Sequence, residues 1–215
     1  MRILLITAAA ALLSAGSAFA QDFYVYGGAA LQFSLEPDGS GSGTKSDING
    51  YVEVEKSGLY AGIWAEISNQ SDANEVDLYV GYRGETGVGL SYDVNYYRYF
   101  YPNDGGDCCG ELGLVLGKGF GDALSGSVSL AYDPQAELGN AYLGVEYAAT
   151  DALTLSANYG FYDVDSATVE QEWDVGVGYA VGEETAVELR YYDGTDYTDG
   201  YLRLQLSWDT TILAR

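Results

Sequence analysis

Polar and apolar residues alternate along short stretches of this chain. After the first twenty positions no apolar run reaches the roughly 18 to 20 residues that a membrane helix needs. Period-two alternation marks a strand with one apolar and one polar face. It is clearest between Glu75 and Pro102. On the first limb Val76, Leu78, Val80 and Tyr82 share one face, and Glu75, Asp77, Tyr79, Gly81 and Arg83 share the other. After a turn at Gly84–Gly87, the return limb sets Leu90, Tyr92, Val94 and Tyr96 against Ser91, Asp93, Asn95 and Tyr97. Each limb is about ten residues long, ends in aromatics and carries charge on its polar face. That is the unit of a transmembrane β-barrel, with lipid on one side and a wet interior on the other.

The pattern recurs along the chain and predicts twelve strands. The first covers Asp22–Phe33, the second Asp47–Glu55 and the third Leu59–Ile67, with the fourth and fifth forming the hairpin just described. The sixth covers Glu111–Lys118, the seventh Ala123–Tyr132, the eighth Gly139–Tyr147 and the ninth Ala152–Tyr162. The tenth covers Glu170–Val181, the eleventh Thr185–Tyr192 and the twelfth Gly200–Trp208. Connections alternate in kind. Ser34–Ser46, Ser68–Asn74, Asn103–Gly110, Asp133–Leu138, Asp163–Val169 and Asp193–Asp199 are longer and mostly acidic, whereas those between them are tight. Bacterial single-chain barrels sort their loops this way, with short periplasmic turns and longer outer loops. The expected fold is an all-β, antiparallel, up-and-down transmembrane barrel of about twelve strands. With its apolar face outward, Tyr82, Tyr147, Tyr179 and Trp208 sit at the periplasmic ends, and Tyr132, Phe161, Trp173 and Tyr191 at the outer ends. These are the two aromatic girdles of such a barrel.

Residues 1–20 read as a secretory signal peptide of Sec type: Arg2, an apolar run from Ile3 to Leu13, and a small-residue cleavage site at Ala18-Phe-Ala20. Residues 21–215 then form one exported barrel domain. The formal charge is -23, from 9 basic and 32 acidic residues. Nucleic acid is excluded as a partner, because phosphate binding needs clustered Lys and Arg. With no histidine, neither a general base of that type nor a Ser-His-Asp arrangement exists, so no enzyme, catalytic residue or cofactor is expected. Cys108 and Cys109 are adjacent and cannot staple distant segments; a vicinal disulfide and two free thiols both remain open, and no metal site is expected of them.

The Glu75–Pro102 stretch resembles the TorF-type porin family of Gram-negative outer-membrane proteins. The matching residues are Glu75, Asp77, Tyr79, Gly81-Tyr82, Gly84-Glu85, Gly87, Tyr92-Asp93, Tyr96-Tyr97, Tyr99 and Tyr101-Pro102. The resemblance implies an outer-membrane channel with no catalytic residues. One departure concerns the end of the chain: such barrels stop at a terminal aromatic read by the insertion machinery, whereas Asp209–Arg215 follow Trp208 here.

The polar faces assign Glu53, Glu55, Glu66, Asp77, Arg83, Asp93, Glu146, Asp174, Glu188, Arg190 and Arg203 to the interior, with Arg190 and Arg203 expected to pair with Glu188. Acidic groups outnumber basic ones there, and carboxylate-lined pores favour cations. The expected function is passive diffusion of small polar solutes or ions with a preference for cations. The alternatives are a closed membrane barrel with a binding or structural role and a soluble exported barrel around an apolar ligand. Expected partners are outer-membrane lipid, small solutes or cations, and the barrel-insertion machinery. The outer loops carry Asp38, Asp72, Asp104, Asp107, Asp133, Asp163, Asp165, Asp193, Asp196 and Asp199, groups suited to solvent or to bridging divalent cations.

Overall fold

A computed structural model describes residues 23–35, 45–69, 74–165, 167–195 and 200–215. The predicted signal peptide and the loop residues Asp38, Asp72, Asp196 and Asp199 lie outside the described residues. Twelve strands follow one another: β1 Phe23–Leu35, β2 Lys45–Lys56, β3 Leu59–Ser68, β4 Glu75–Glu85, β5 Leu90–Tyr101, β6 Gly106–Gly119, β7 Leu124–Asp133, β8 Leu138–Ala148, β9 Leu153–Asp163, β10 Val169–Ala180, β11 Thr185–Gly194 and β12 Tyr201–Ala214. Each pairs antiparallel with its neighbours in sequence, and β1 pairs with β12, so the sheet closes on itself. The predicted fold class is what is found.

The barrel is inside out by the standard of a soluble domain. Among the described residues, the buried side chains of apolar type are four tyrosines and Cys109, whereas Asp47, Glu53, Glu66, Glu75, Asp77, Glu172, Asp174, Arg190 and Arg203 are all buried. The aliphatic residues stand on the other face: Ile67 is 65 % exposed, Leu143 60 % and Leu59 59 %. A skin of this kind around a charged interior fits hydrocarbon outside, where only a closed barrel satisfies every strand's backbone hydrogen bonds. Tyr82, Tyr147, Tyr179 and Trp208 are exposed toward one end, and Tyr132, Phe161 and Trp173 toward the other, as the girdles require; Tyr191 is half-buried.

Closure depends on residues that alternation alone places outside the barrel. β12 does not stop at Trp208: Asp209, Thr210, Thr211, Leu213 and Ala214 pair with Gly28, Gly27, Tyr26, Val25 and Tyr24, with a bulge between Val25 and Tyr26. Phe23 and Arg215 exchange both backbone hydrogen bonds at the rim. The departure from a terminal aromatic is therefore a longer last strand. A second correction concerns Asn103–Gly110, which is mostly strand. β6 begins at Gly106, and Cys108 is the extra residue where the register shifts between Tyr99 and Phe100. Cys108 and Cys109 form a vicinal disulfide. Strands likewise run into other predicted loops: β2 starts at Lys45, and Asp133, Asp163 and Asp193 are strand residues. The difference in loop length between the two ends is smaller than expected. The tightest turn, Ser57-Gly58, has both residues at positive φ (53° and 86°), the geometry whose twist suits a two-residue hairpin.

Part of the abundant glycine and tyrosine shares one cause. On the inner face Tyr60 lies over its cross-strand partner Gly81, Tyr79 over Gly62 and Tyr142 over Gly160, and a Cβ at any of these glycines would run into the ring. Each glycine provides a slot in which a ring lies flat across the neighbouring strand. Gly160→Val should displace Tyr142 and cost about 1–3 kcal/mol, the usual range for overpacking; denaturant unfolding in detergent reads this. Truncation after Trp208 strips the partners of residues 24–28 and should abolish the heat-modifiable folded form on gels.

Candidate functional site: the charged interior

Two charged networks hold opposite walls of the barrel. The first spans β2 to β5. Arg83 of β4 pairs with Glu53 and, at 3.0 Å, with Glu55, both on β2. Its guanidinium lies 4.0 Å from the centroid of the Tyr60 ring. Tyr60 in turn donates its hydroxyl to Asp93 Oδ1 at 2.6 Å, and Asn95 Nδ2 donates to the same oxygen at 3.0 Å. A row of tyrosines continues this wall: Tyr60 meets Tyr79 at a tilt, 6.1 Å between centroids, and Tyr79, Tyr97 and Tyr99 stack in turn at 5.0 Å and 6.2 Å. Tyr99 donates to Glu111 at 2.8 Å. Toward the loops, Lys45 bridges Asp47 and Glu66, 3.2 Å from each.

The second network centres on Arg190 of β11. It bonds Asp174 of β10 and the hydroxyl of Ser156 of β9, and it binds Glu188 through Nε and Nη2, both at 2.9 Å. Asn158 Nδ2 donates to Asp174 Oδ1 at 2.8 Å. Gly176 makes the crossing possible, since a Cβ there would collide with the Arg190 guanidinium. Arg203 sits opposite Arg190 in the β11–β12 register but does not pair with Glu188 as expected. Arg190 takes that carboxylate, and Arg203 lies instead over the Tyr192 ring, 4.5 Å from its centroid. Tyr192 itself stacks on Tyr201 at 4.7 Å. Two further bonds finish the wall: Tyr51 donates to Asp209, and Gln32 meets Gln205 across the closing seam.

The predicted residues thus fall into distinct settings. Glu53, Arg83 and Asp93 meet in the first network, Asp174, Glu188 and Arg190 in the second. Glu66 is tied to Lys45, and Arg203 to an aromatic face. Asp77 is fully buried at 0 % exposure and is hydrogen-bonded to Glu75. Glu146 stands apart, exposed near the end that carries the termini and opposite Ser125 and Ser156 in register. Residue-by-residue reading missed Glu75, Glu111 and Glu172, all interior; Glu172 accepts the Tyr142 hydroxyl at 2.7 Å. The same alternation would have found them, since Glu75 and Glu172 lie two positions before Asp77 and Asp174. Several outer acids serve local structure rather than solvent. Asp133 accepts from the amides of Gln135 and Ala136, and Asp163 from that of Gly139. Beyond the strands, the Ala167 and Thr168 amides hold the Asp165 carboxyl below the usual carboxylate range.

Comparison with known proteins agrees with this geometry. The chain belongs to the Gcw_chp family, described as a bacterial protein of unknown function, whose model matches residues 39–212. Among curated proteins none matches it in sequence. Solved structures share its fold. A KdgM porin superposes with a TM-score of 0.68 at 9% identity, over 84% of this chain and 98% of that one. A NanC porin gives 0.63 at 14% identity, over 86% and 100%. The COG4313 outer membrane channel from Pseudomonas putida F1 gives 0.55 at 10% identity, over 88% and 95%.

Arg190 and Asp174 form a buried pair, and removing one partner of such a pair strands the other charge. Arg190→Ala should destabilise the barrel by about 3–5 kcal/mol, whereas joint replacement by Arg190→Met and Asp174→Asn should cost much less. Unfolding midpoints of the single and double variants in detergent check this.

Proposed function

We propose that the chain is a narrow outer-membrane channel for passive diffusion of small polar solutes or ions, with a preference for cations. The observation that carries this reading is a charged interior enclosed by a closed, apolar-skinned barrel. Carboxylates dominate that interior, and such rings lower the barrier for cations and raise it for anions. The TorF-type resemblance of the β4–β5 hairpin and the porin fold of the structural relatives support it. So does the predicted Sec-type signal peptide, which would deliver the chain to the outer membrane of a Gram-negative bacterium with lipid and the insertion machinery as partners. One relative is a KdgM porin in complex with oligogalacturonate, an acidic saccharide. The sign of the interior here argues for solutes of the opposite charge.

A second reading has its own support: Tyr60, Asp77, Tyr142, Tyr192 and Arg203 are buried deep inside, on several different strands. A barrel packed to that degree would brace the membrane or bind a partner without conducting. Planar-bilayer recording of the refolded chain from Gln21 under a salt gradient separates the two. Discrete current steps with a cation-selective reversal potential are expected. Asp93→Asn combined with Glu146→Gln should reduce the selectivity several-fold, since a charge a few ångströms from the ion path in water is worth about 1 kcal/mol. A folded barrel that passes no current would overturn the channel and favour the closed reading.

A further inference from the structure

Two walls of the barrel are packed and a third is not. Tyr60, Tyr79 and Asp77 are buried on β3 and β4, and Asp174, Arg190 and Arg203 on β10–β12. Between these walls lies the inner face of β6, β7 and β8. Gly113, Gly117, Ser125, Ser127, Ser129 and Gly144 stand on it, alternating with the exposed Leu124, Leu130 and Leu143 of the outer face. All six are only half-buried. The large ring on this face, Tyr142, is folded over Gly160 of β9 and bonded to Glu172 of β10, away from β6 and β7. Eight strands make an interior that side chains just fill. Twelve enclose more, and the surplus width falls beside the wall with the smallest side chains.

The middle of this wall carries no charge. Past Glu111 on β6 and Asp133 on β7, the next charged group on the same face is Glu146 of β8. Acids of the other walls are held by partners: Glu53 and Glu55 by Arg83, Asp93 by Tyr60 and Asn95, Asp174 and Glu188 by Arg190. The Glu146 side chain is exposed and takes no hydrogen bond or ion pair from any described residue. Its neighbours in register are Ser125 and Ser156. Hydroxyl groups both donate and accept, so a wall of serines does not sort solutes by charge. An unpaired carboxylate beside the path does.

We propose that the solute path runs off the barrel axis, along the β6–β8 wall, and that Glu146 is the residue that sets its charge preference. The inference rests on the channel reading and names the wall and the residue through which that channel acts. A cation crossing the end that carries the termini meets a full negative charge there with no counter-charge on the protein. Salt screens an exposed charge of this kind: the Debye length is about 10 Å at 0.1 M and about 3 Å at 1 M. The preference therefore belongs to dilute salt.

The test has two parts, both on the refolded chain. In the first, Ser127→Cys and Ser68→Cys barrels in detergent are treated with a cationic, water-soluble methanethiosulfonate and followed by mass. The wild type is the blank, since its Cys108 and Cys109 are joined in a disulfide. Ser68 is buried on β3, so Ser127→Cys should react about tenfold faster than Ser68→Cys. In the second part, reversal potentials are read in a planar bilayer in dilute salt. Glu146→Gln should lower the cation-to-anion permeability ratio about fivefold, the effect of one nearby unit charge in water, and Glu146→Lys should reverse it. Asp151→Asn, in the β8–β9 turn at the same end, should leave the ratio unchanged. Equal labelling of the two thiols, or an equal shift from Asp151→Asn, would overturn the inference. Labelling at Ser127→Cys with no current from the wild-type chain would remove the channel and with it the role of Glu146. Current whose selectivity ignores Glu146→Gln would remove this inference alone and keep the channel.

Discussion

Everything in this barrel depends on a single requirement: in hydrocarbon no strand can leave its backbone N–H and C=O groups unpaired. The seam between β1 and β12 meets it. Without that seam the other eleven strand pairings would form an open sheet with two raw edges. The seam runs from Tyr24 to Leu35 on one side and from Leu202 to Ala214 on the other, with a single bulge. Side chains reinforce it on the inner face, through Gln32 with Gln205 and Tyr51 with Asp209. The residues after Trp208 are thus part of the enclosure itself.

With closure secured, the polar contents follow from the shape of the interior. A charged group there is removed from bulk water, and most such groups are paired or hydrogen-bonded. Arg190 draws β9, β10 and β11 together through Ser156, Asp174 and Glu188, and Arg83 joins β4 to β2. Tyrosine suits this place because its ring is flat and its hydroxyl reaches a carboxylate, as at Asp93, Glu111 and Glu172.

Much of this was legible in the sequence, for a simple reason: strand periodicity reports which face a residue occupies. The alternation around Asp77, Arg83 and Asp93 placed all three on the inner face, and Leu78, Val80 and Tyr82 on the outer one. Periodicity does not report partners across strands. It therefore gave no warning that Arg190 alone would take Glu188, leaving Arg203 on Tyr192. Nor does it mark where a strand ends when turn-forming residues continue in the ladder, as Gly106, Asp107 and the cysteines do in β6. Asp209 was unreadable for the same reason, being a polar residue of poor strand preference held by β1. The glycine slots were hidden because a ring and its cross-strand glycine are distant in sequence and meet only once the register is set.

Those slots bear on how the barrel can change over time. Tyr60 and Tyr79 occupy reciprocal positions on β3 and β4, each ring lying over the glycine that faces it on the other strand. A pair of strands keyed in both directions cannot slide by two residues without lifting both rings out, so the hoop has one circumference and one tilt. Neither partner of such a key is free to drift alone: a larger residue at the glycine meets the ring, and a smaller one at the tyrosine leaves a hole. Change at these places has to come in pairs, whereas the lipid-facing aliphatic residues can exchange for one another singly. The inner wall should therefore be the slow-evolving record of this barrel's bore, and the outer skin its fast-moving part.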